Sequence, residues 1–267
     1  MTQDSNTTRA GSLTVVGTGI QVGEQTTLGA KETIEKAQKV FYAVADRAAA
    51  QWILGLNATA EALSYDMTLP RRRTVYEGMV DRIAAEVRKG LDVCAVFYGH
   101  PGVFAHATHK AIKILRQEGF PARMLPGVSA EDCLIADLGV DPGPLGCQSY
   151  EATDFLIRPR RFDPTTAMIL WQVHSIGNLG FWDDHTDRRP ALEILVEVLV
   201  PSYGPEHRVY VYEASIDPAK LPRIEPVLLA KLPEAKLSPF STLFVPAKKA
   251  AELDPIMMKR LGVSFDS

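Results

Sequence analysis

Arg72 and Tyr76 are the two residues whose types and spacing could carry chemistry most directly. They stand at positions i and i+4 of a predicted helix spanning 70–89, so their side chains would lie one above the other on a single face. A guanidinium beside a phenol favours the phenolate, because a nearby positive charge lowers the pKa of tyrosine below its reference of about 10. The pair could therefore act as a base, although Arg71, Arg72 and Arg73 also fit a solvated basic cluster, with Tyr76 merely bordering the core.

The second candidate is the loop Tyr98–Phe104, whose sequence is YGHPGVF. It follows an apolar run at 92–96 that predicts a buried strand, and it precedes a predicted helix at 105–119. Open α/β sheets bind small ligands beyond the carboxyl ends of their strands. Gly99 and Gly102 would let the backbone approach a ligand, and the helix start would offer free N–H donors. We interpret this segment as a ligand loop, with an ordinary strand-to-helix turn as the alternative.

Three other patterns have weaker support. His106 and His109 could place two imidazoles on one helical face, but no third ligand with suitable spacing stands nearby. The GTG at 17–19 is part of a dinucleotide fingerprint that the following residues do not complete. Ser129 stands in PGVSA and not in the GxSxG elbow of serine hydrolases. We therefore expect no metal, no nicotinamide cofactor and no serine nucleophile.

Composition limits the classes of function. The 267 residues, 46% hydrophobic and 23% charged, suit one large globular domain or two ordinary ones. A net charge of −3 gives no reason to expect nucleic-acid or anionic-membrane binding. The three cysteines form no CxxC pair, and the polar first ten residues lack the apolar core of a signal peptide. We expect a soluble, cytoplasmic protein with reduced thiols.

Apolar strands and amphipathic helices alternate along the first half of the chain. Strands are predicted at 12–19, 39–44, 62–65, 92–96 and 121–127. The alternation predicts a parallel, doubly wound sheet. In the helix at 70–89, apolar residues recur at helical spacing and predict its buried face: Val75, Met79, Val80, Ile83, Ala84 and Val87.

The pattern changes after a short helix at 131–138, which Ser129 and Asp132 would begin with a capping box. The segment GVDPGPLG at 139–146 predicts an irregular linker. Strands dominate beyond it, at 167–172, 208–214, 224–230 and 241–245, with one clear helix at 190–199. We therefore expect a disordered tail at 1–11, an N-terminal α/β domain at 12–138 and a C-terminal α/β domain at 139–267.

Six short motifs occur in an order that resembles one family, the tetrapyrrole-methylase-like S-adenosylmethionine methyltransferases. They are VGTG at 16–19, YGHPGVF at 98–104, PGVSA at 126–130, LWQ ending at Gln172, YEA at 212–214 and STLFVP at 241–246. The resemblance covers about residues 12 to 250. It implies two α/β domains with the methyl donor in the cleft between them, and a homodimer.

The chain departs from the porphyrin-acting members at two loops. Gly19–Gly23 replaces their GPGDP-type loop, and Gly99-His100-Pro101 replaces their glycine-aspartate-proline. Both changes resemble the borosin peptide α-N-methyltransferases, which methylate backbone amides of a precursor peptide. That resemblance implies catalytic roles for Arg72, Tyr76 and Tyr98, and Tyr65 is similar to a further active-site tyrosine.

The same resemblance implies the donor pocket and the substrate. The residues of the donor pocket would be Tyr98, His100, Val103, Phe104, Ser129, Ala130, Gln172, Ala214, Ser241 and Thr242. Because the chain stops at Ser267, shortly after the last predicted strand, we expect it to act in trans on a separate precursor protein. Two alternatives stay open: a C-methyltransferase of corrin or porphyrin intermediates, and a catalytically idle peptide- or nucleoside-binding partner.

Overall fold

The chain forms two compact units. The computed structural model describes residues 10–44, 46–63, 72–178 and 187–264, with the side chains at 72 and 73 outside that description. The first unit takes the residues up to Asp137 together with Ala214–Pro222, and the second takes Leu138–Glu213 and the residues from Arg223 onward. The sequence prediction divided the chain only once, and gave no indication that Ala214–Pro222 returns to the first unit.

The first unit is built on a parallel sheet of five strands in the order β3-β2-β4-β1-β5. Its strands are β1 (Ser12–Gly17), β2 (Lys39–Ala43), β3 (Glu61–Ala62), β4 (Asp92–Phe97) and β5 (Ala122–Met124). The central strands β1 and β4 are continuous apolar runs, as expected where both faces of a parallel sheet are covered. The predicted parallel α/β sheet is confirmed.

Five helices accompany this sheet: α1 (Leu28–Lys36), α2 (Arg47–Leu56), α3 (Arg72–Arg88), α4 (His106–Gln117) and α5 (Ala130–Leu138). Asp46 caps α2 by accepting a hydrogen bond from the amide of Ala49. The predicted buried face of α3 is also confirmed, because all six of its apolar residues are at most 4% exposed. This burial holds α3 against the sheet and α4.

The second unit contains a mixed sheet in the order β6-β7-β10-β8-β9. The strands are β6 (Cys147–Glu151), β7 (Ala167–Trp171), β8 (Arg208–Glu213), β9 (Arg223–Leu228) and β10 (Thr242–Val245). Strand β6 is parallel to β7, and the remaining pairs are antiparallel. The helices are α6 (Pro142–Leu145), α7 (Ala152–Ile157), α8 (Arg189–Tyr203) and α9 (Pro255–Leu261), with 3-10 turns at Val173–Ser175 and Leu229–Glu234.

Two predictions for the second unit are wrong. The segment at 139–146 is not wholly irregular, because α6 forms a single turn that Asp141 caps through the amide of Gly143, with Pro142 at its start. The sequence reading also missed β6 and α7. Strand β6 lies at a sheet edge with no fully buried residue, so it lacks the apolar run by which the other strands were found.

One side of the second sheet packs against α8 to form the core of this unit. Met168, Leu170, Val211, Leu243 and Val245 are completely buried there. None of the described helices combines the length and the apolar character that crossing a bilayer requires.

Candidate active site

The exit turns of β1 and β4 approach each other closely. The amide of Gly99 donates to the Gly19 carbonyl at 3.0 Å, and the amide of Gly19 donates back to Gly99 at 3.4 Å. A side chain on Gly17 would place its Cβ only 2.0 Å from the Gly99 carbonyl oxygen. The glycine at position 17 thus permits close approach of two backbone turns, which accounts for it without a dinucleotide.

Two histidines hold the peptide groups of Gly102. The Gly102 amide donates to His100 Nδ1 at 3.0 Å, and His109 Nε2–H donates to the Gly102 carbonyl at 2.8 Å. His106, in contrast, packs on Tyr76. The two histidines of the possible metal pair thus have separate partners, and no cluster of three or more metal-ligating residues occurs in the part of the chain that the structure describes.

Phe104 and Gln172 have a strained backbone. Across the described ranges they are the only residues other than glycine with positive φ, at 50° and 56° respectively. A left-handed conformation costs a non-glycine residue about 1–2 kcal/mol, and such strain concentrates at ligand-binding sites. Both residues belong to the predicted donor-binding set. Phe104 is also 50% exposed and its neighbour Val103 is 40% exposed, so the loop presents apolar surface.

Tyr98 is partly buried at the start of the same loop. Its amide donates to the Ala43 carbonyl at 3.1 Å, which fixes the backbone beside β2. Burial is the main cause that raises the pKa of the Tyr98 phenol to about 12, with smaller contributions from Cys133, once its thiol ionises, and from the carboxylate of Asp46. Tyr98 is therefore a protonated phenol at neutral pH, suited to donating a hydrogen bond and unsuited to accepting a proton.

Ser129 and Asp132 form the predicted capping box at the start of α5. The Ser129 hydroxyl and amide both donate to Asp132 Oδ2 at 2.6 Å, and the Asp132 amide donates back to the hydroxyl at 3.3 Å. The Ser129 hydroxyl is thus engaged in the cap of α5. Ala130 opens the helix, where backbone amides lack partners within the helix.

Ser241 organises the turn before β10. Its hydroxyl donates to Glu213 Oε1 at 2.6 Å and accepts from the Ser238 amide at 2.8 Å. Partial burial works to raise the pKa of Glu213, but hydrogen bonds from both serines and the Arg223 guanidinium outweigh it and hold the pKa below its usual value. The next residue, Thr242, is buried in β10 opposite Tyr212.

Two glutamines that the sequence reading missed organise the turn after β1. Gln25 Oε1 accepts hydrogen bonds from the amides of Ile20 and Gln21 at 2.8 and 3.0 Å. Gln21 Nε2 then donates to the Ser215 carbonyl at 3.2 Å, beside the predicted donor residue Ala214. The contact joins residues 194 positions apart, so no local pattern could have revealed it.

Tyr76 lies in the second turn of α3. Its ring is 6.2 Å from that of His106 between centroids, with the planes inclined by 44°. Arg72 is the first residue of α3, but its side chain lies outside the described part of the structure, as does the whole of Tyr65. Tyr76 of α3 thus packs against the first residue of α4, which begins just after the loop Tyr98–Phe104.

The fold and the chain's motifs agree with a known family model. The model for tetrapyrrole (corrin/porphyrin) methylases matches residues 12–214, which is most of the chain. The chain belongs to the tetrapyrrole methylase family. The fold is also similar to that of the uroporphyrin-III-C-methyltransferase from Thermus thermophilus, which aligns over 89% of this chain and 94% of its own, with a TM-score of 0.64 and 21% identity.

Two curated relatives of this tetrapyrrole methylase family member come from fungi. The methyltransferase/ribosomally synthesized cyclic peptide omphalotin A precursor of Omphalotus olearius is 45% identical over 95% of this chain and 62% of its own length. The methyltransferase/ribosomally synthesized type I borosin cyclic peptide precursor of Gymnopilus junonius is 37% identical over 98% of this chain and 63% of its own. The chain thus spans less than two thirds of the length of these relatives.

The predicted donor-binding residues of this tetrapyrrole methylase family member are divided between its two units. The first unit holds Tyr98, His100, Val103, Phe104, Ser129, Ala130 and Ala214. The second holds Gln172, Ser241 and Thr242. In the first unit, two of the segments concerned are the turns that follow β1 and β4, and a third is the start of α5. The segment Ala214–Pro222 follows the end of β8. Ligands of α/β proteins bind at such strand ends and helix starts.

Proposed function

We propose that the chain is an S-adenosylmethionine-dependent methyltransferase that N-methylates backbone amides of a ribosomal precursor peptide. The observation that carries the proposal is the loop Tyr98–Phe104, which is clamped at Gly102, strained at Phe104 and apolar at its exposed tip. Strain and apolar exposure both cost free energy, and a ligand that covers the tip would offset the cost of its exposure. The names of the relatives, which join a methyltransferase to a cyclic-peptide precursor, support a peptide as the methyl acceptor.

The loop residues fit a methyl donor with a flat adenine and a polar amino-acid end. Val103 and Phe104, which are 40% and 50% exposed, offer an apolar surface for the adenine base. When bound, S-adenosylmethionine supplies a methyl group on a positively charged sulfur. We propose that the ten predicted donor-binding residues hold S-adenosylmethionine. Those whose side chains are already hydrogen-bonded within the protein would act by shaping the backbone around the donor.

Amide nitrogen is a poor nucleophile because its lone pair is delocalised into the carbonyl group. We propose that Tyr76 accepts the amide proton and that Arg72 faces the negative charge developing on the amide oxygen. Tyr98, which stays protonated, would donate a hydrogen bond that orients the acceptor. Tyr65 would complete this group by resemblance. A general base contributes about 10²–10⁴-fold, and correct positioning up to roughly 7–11 kcal/mol of the barrier, so the geometry should matter most.

We further propose that the precursor peptide can act as a separate molecule, that the enzyme is a homodimer and that it is cytoplasmic. The names of the relatives join both parts in one product, so trans action has to be tested directly. Intact mass of the purified 267-residue chain, incubated with the donor alone, should show no methyl gain. Light scattering during gel filtration would give the mass of the assembly, and cell fractionation its compartment.

The experiment for the main proposal adds a synthetic peptide with the precursor segment of the Omphalotus olearius relative. With S-adenosylmethionine present, the peptide mass should rise in steps of one methylene, and Tyr76→Phe should abolish the rise. Methylation of a uroporphyrinogen-type substrate with none of the peptide would assign the chain to tetrapyrrole chemistry instead. Donor and peptide binding without any transfer would indicate an idle binding partner.

A further inference from the structure

His106 occupies the junction between the donor loop and the helix that carries Tyr76. It is the first residue of α4, and only Ala105 separates it from the strained Phe104. Its ring packs against Tyr76 at 6.2 Å between centroids, at an inclination of 44°. Tilted ring pairs at this separation are attractive. The same short segment thus connects Phe104 to the proposed base.

A second contact fixes the two helices one turn further along. Lys110 Nζ lies 3.0 Å from Glu77 Oε1, so an ion pair joins α4 to α3 near the His106–Tyr76 contact. Lys110 is one helical turn after His106 on α4, and Glu77 is next to Tyr76 on α3. This ion pair holds α3 against α4 but does not include the ring of Tyr76.

We propose that His106 is a positioning residue whose imidazole ring holds the ring of Tyr76 in place relative to the donor loop. This inference rests on the proposed function, since it gives Tyr76 the role of base. Methyl transfer requires the acceptor nitrogen in line with the methyl group, and a displacement of 1 Å can cost about 10²-fold in rate. The ring of His106 contacts the ring of Tyr76 where the loop joins α4, and it therefore limits the movement of the Tyr76 ring.

Four variants separate positioning from general support of the helices. His106→Ala removes the ring, and His106→Phe keeps a ring of similar size without its nitrogen atoms. Lys110→Ala breaks the ion pair with Glu77, and Lys113→Ala alters an exposed residue of the same helix as a matched control.

The kinetic expectation is a split between kcat and KM. His106→Ala should lower kcat by about 10- to 100-fold while the KM for the donor changes less than twofold. His106→Phe should stay within about threefold of the parent, because the ring is retained. A fall in His106→Ala matched by Lys110→Ala, or confined to KM, would contradict a positioning role.

A spectroscopic measurement decides the same question without turnover. Protein labelled with 3-fluorotyrosine gives one fluorine resonance per tyrosine, and Tyr76→Phe identifies the resonance of Tyr76. His106→Ala should shift and broaden that resonance, and His106→Phe and Lys113→Ala should leave it narrow. An unchanged Tyr76 resonance in His106→Ala would overturn the inference. Failure of peptide methylation in the parent enzyme would instead overturn the proposed function, whatever the resonance shows.

Discussion

Three of the predicted donor-binding side chains direct hydrogen-bonding groups toward the protein itself. The hydroxyls of Ser129 and Ser241 each donate one hydrogen bond and accept another, and His100 Nδ1 accepts from Gly102. These groups hold turns in shape. Tyr98 and Phe104 differ, because one is a protonated phenol and the other is a half-exposed ring on a strained backbone.

The first prediction concerns Ser241→Ala. The change removes the hydrogen bond to Glu213 and leaves the partly buried amide of Ser238 without its acceptor. The free energy of unfolding should fall by about 1–3 kcal/mol, the usual cost of such a loss. Urea denaturation at neutral pH measures it. A change below about 0.3 kcal/mol would show that the turn does not depend on this hydroxyl.

The second prediction concerns Tyr98→Phe. Because burial raises the pKa of Tyr98 to about 12, the phenol stays protonated at working pH and should serve as a hydrogen-bond donor. The variant should lose about 10- to 100-fold in kcat/KM, while the pH dependence between about pH 6 and 9 keeps the parent shape. A rising limb that disappears in Tyr98→Phe would instead identify Tyr98 as the proton acceptor.

At the scale of elements, hydrophobic runs predicted the parallel strands and helices of the first unit well. Parallel strands buried on both faces leave a continuous apolar run, and the capped ends of α2 and α5 carry local signatures. The sequence did not predict strand β6, because an edge strand needs little apolar surface. The hydrogen bond from Gln21 to Ser215 could not be predicted from the sequence, because it depends on tertiary folding alone.

The third prediction tests the Gly102 clamp within the loop. A Cβ at Gly102 would lie 2.7 Å from Met124 Sδ and 3.3 and 3.4 Å from the rings of His100 and His109, so Gly102→Ala must move the Met124 side chain and push both clamping histidines outward by a few tenths of an ångström. The Kd of the donor should rise at least about tenfold, as measured by titration calorimetry.

Gly55→Ala is the matched control for the clamp. Gly55 lies in α2 with nothing within 4 Å of an added Cβ, so the free energy of unfolding should rise by about 0.5–1 kcal/mol and donor binding should stay unchanged. Equal donor affinity in Gly102→Ala and the parent would show that the clamp does not shape the donor site.

At the scale of the whole molecule, acidic groups buried in both units should control stability at alkaline pH. Burial raises the pKa values of Cys94, Tyr98 and Tyr203 to about 12, from ordinary values of 9.0, 10.0 and 10.0. The folded state then holds these protons more tightly than the unfolded state. Their contribution to stability is complete below about pH 9 and is lost as the pH rises through 10 toward 12.

The fourth prediction uses Tyr203→Phe to test this dependence. Tyr203 is 3% exposed, and its buried hydroxyl has no hydrogen-bond partner among the residues that the structure describes. Removing the hydroxyl should raise the free energy of unfolding at pH 7 by about 1 kcal/mol and flatten its decline between about pH 9 and 11. Denaturant titrations across that range provide the measurement, and a steeper decline in the variant would contradict the account.

The donor-binding residues in the two units were predicted mainly from the resemblance to a known family. Composition and periodicity identified the α/β architecture and the loop after β4, because both depend on local patterns. The contacts of His106, Gln21 and Ser241 depend on distant partners and could be found only in the folded chain.

Fragmentation mass spectrometry with S-adenosylmethionine that carries a trideuterated methyl group tests the central claim most directly. The donor, the parent enzyme and the precursor-segment peptide should yield peptide fragments in which the label lies on backbone nitrogen, with none in Tyr76→Phe. Label confined to side chains, or undiminished backbone label in Tyr76→Phe, would contradict amide N-methylation with Tyr76 as the base.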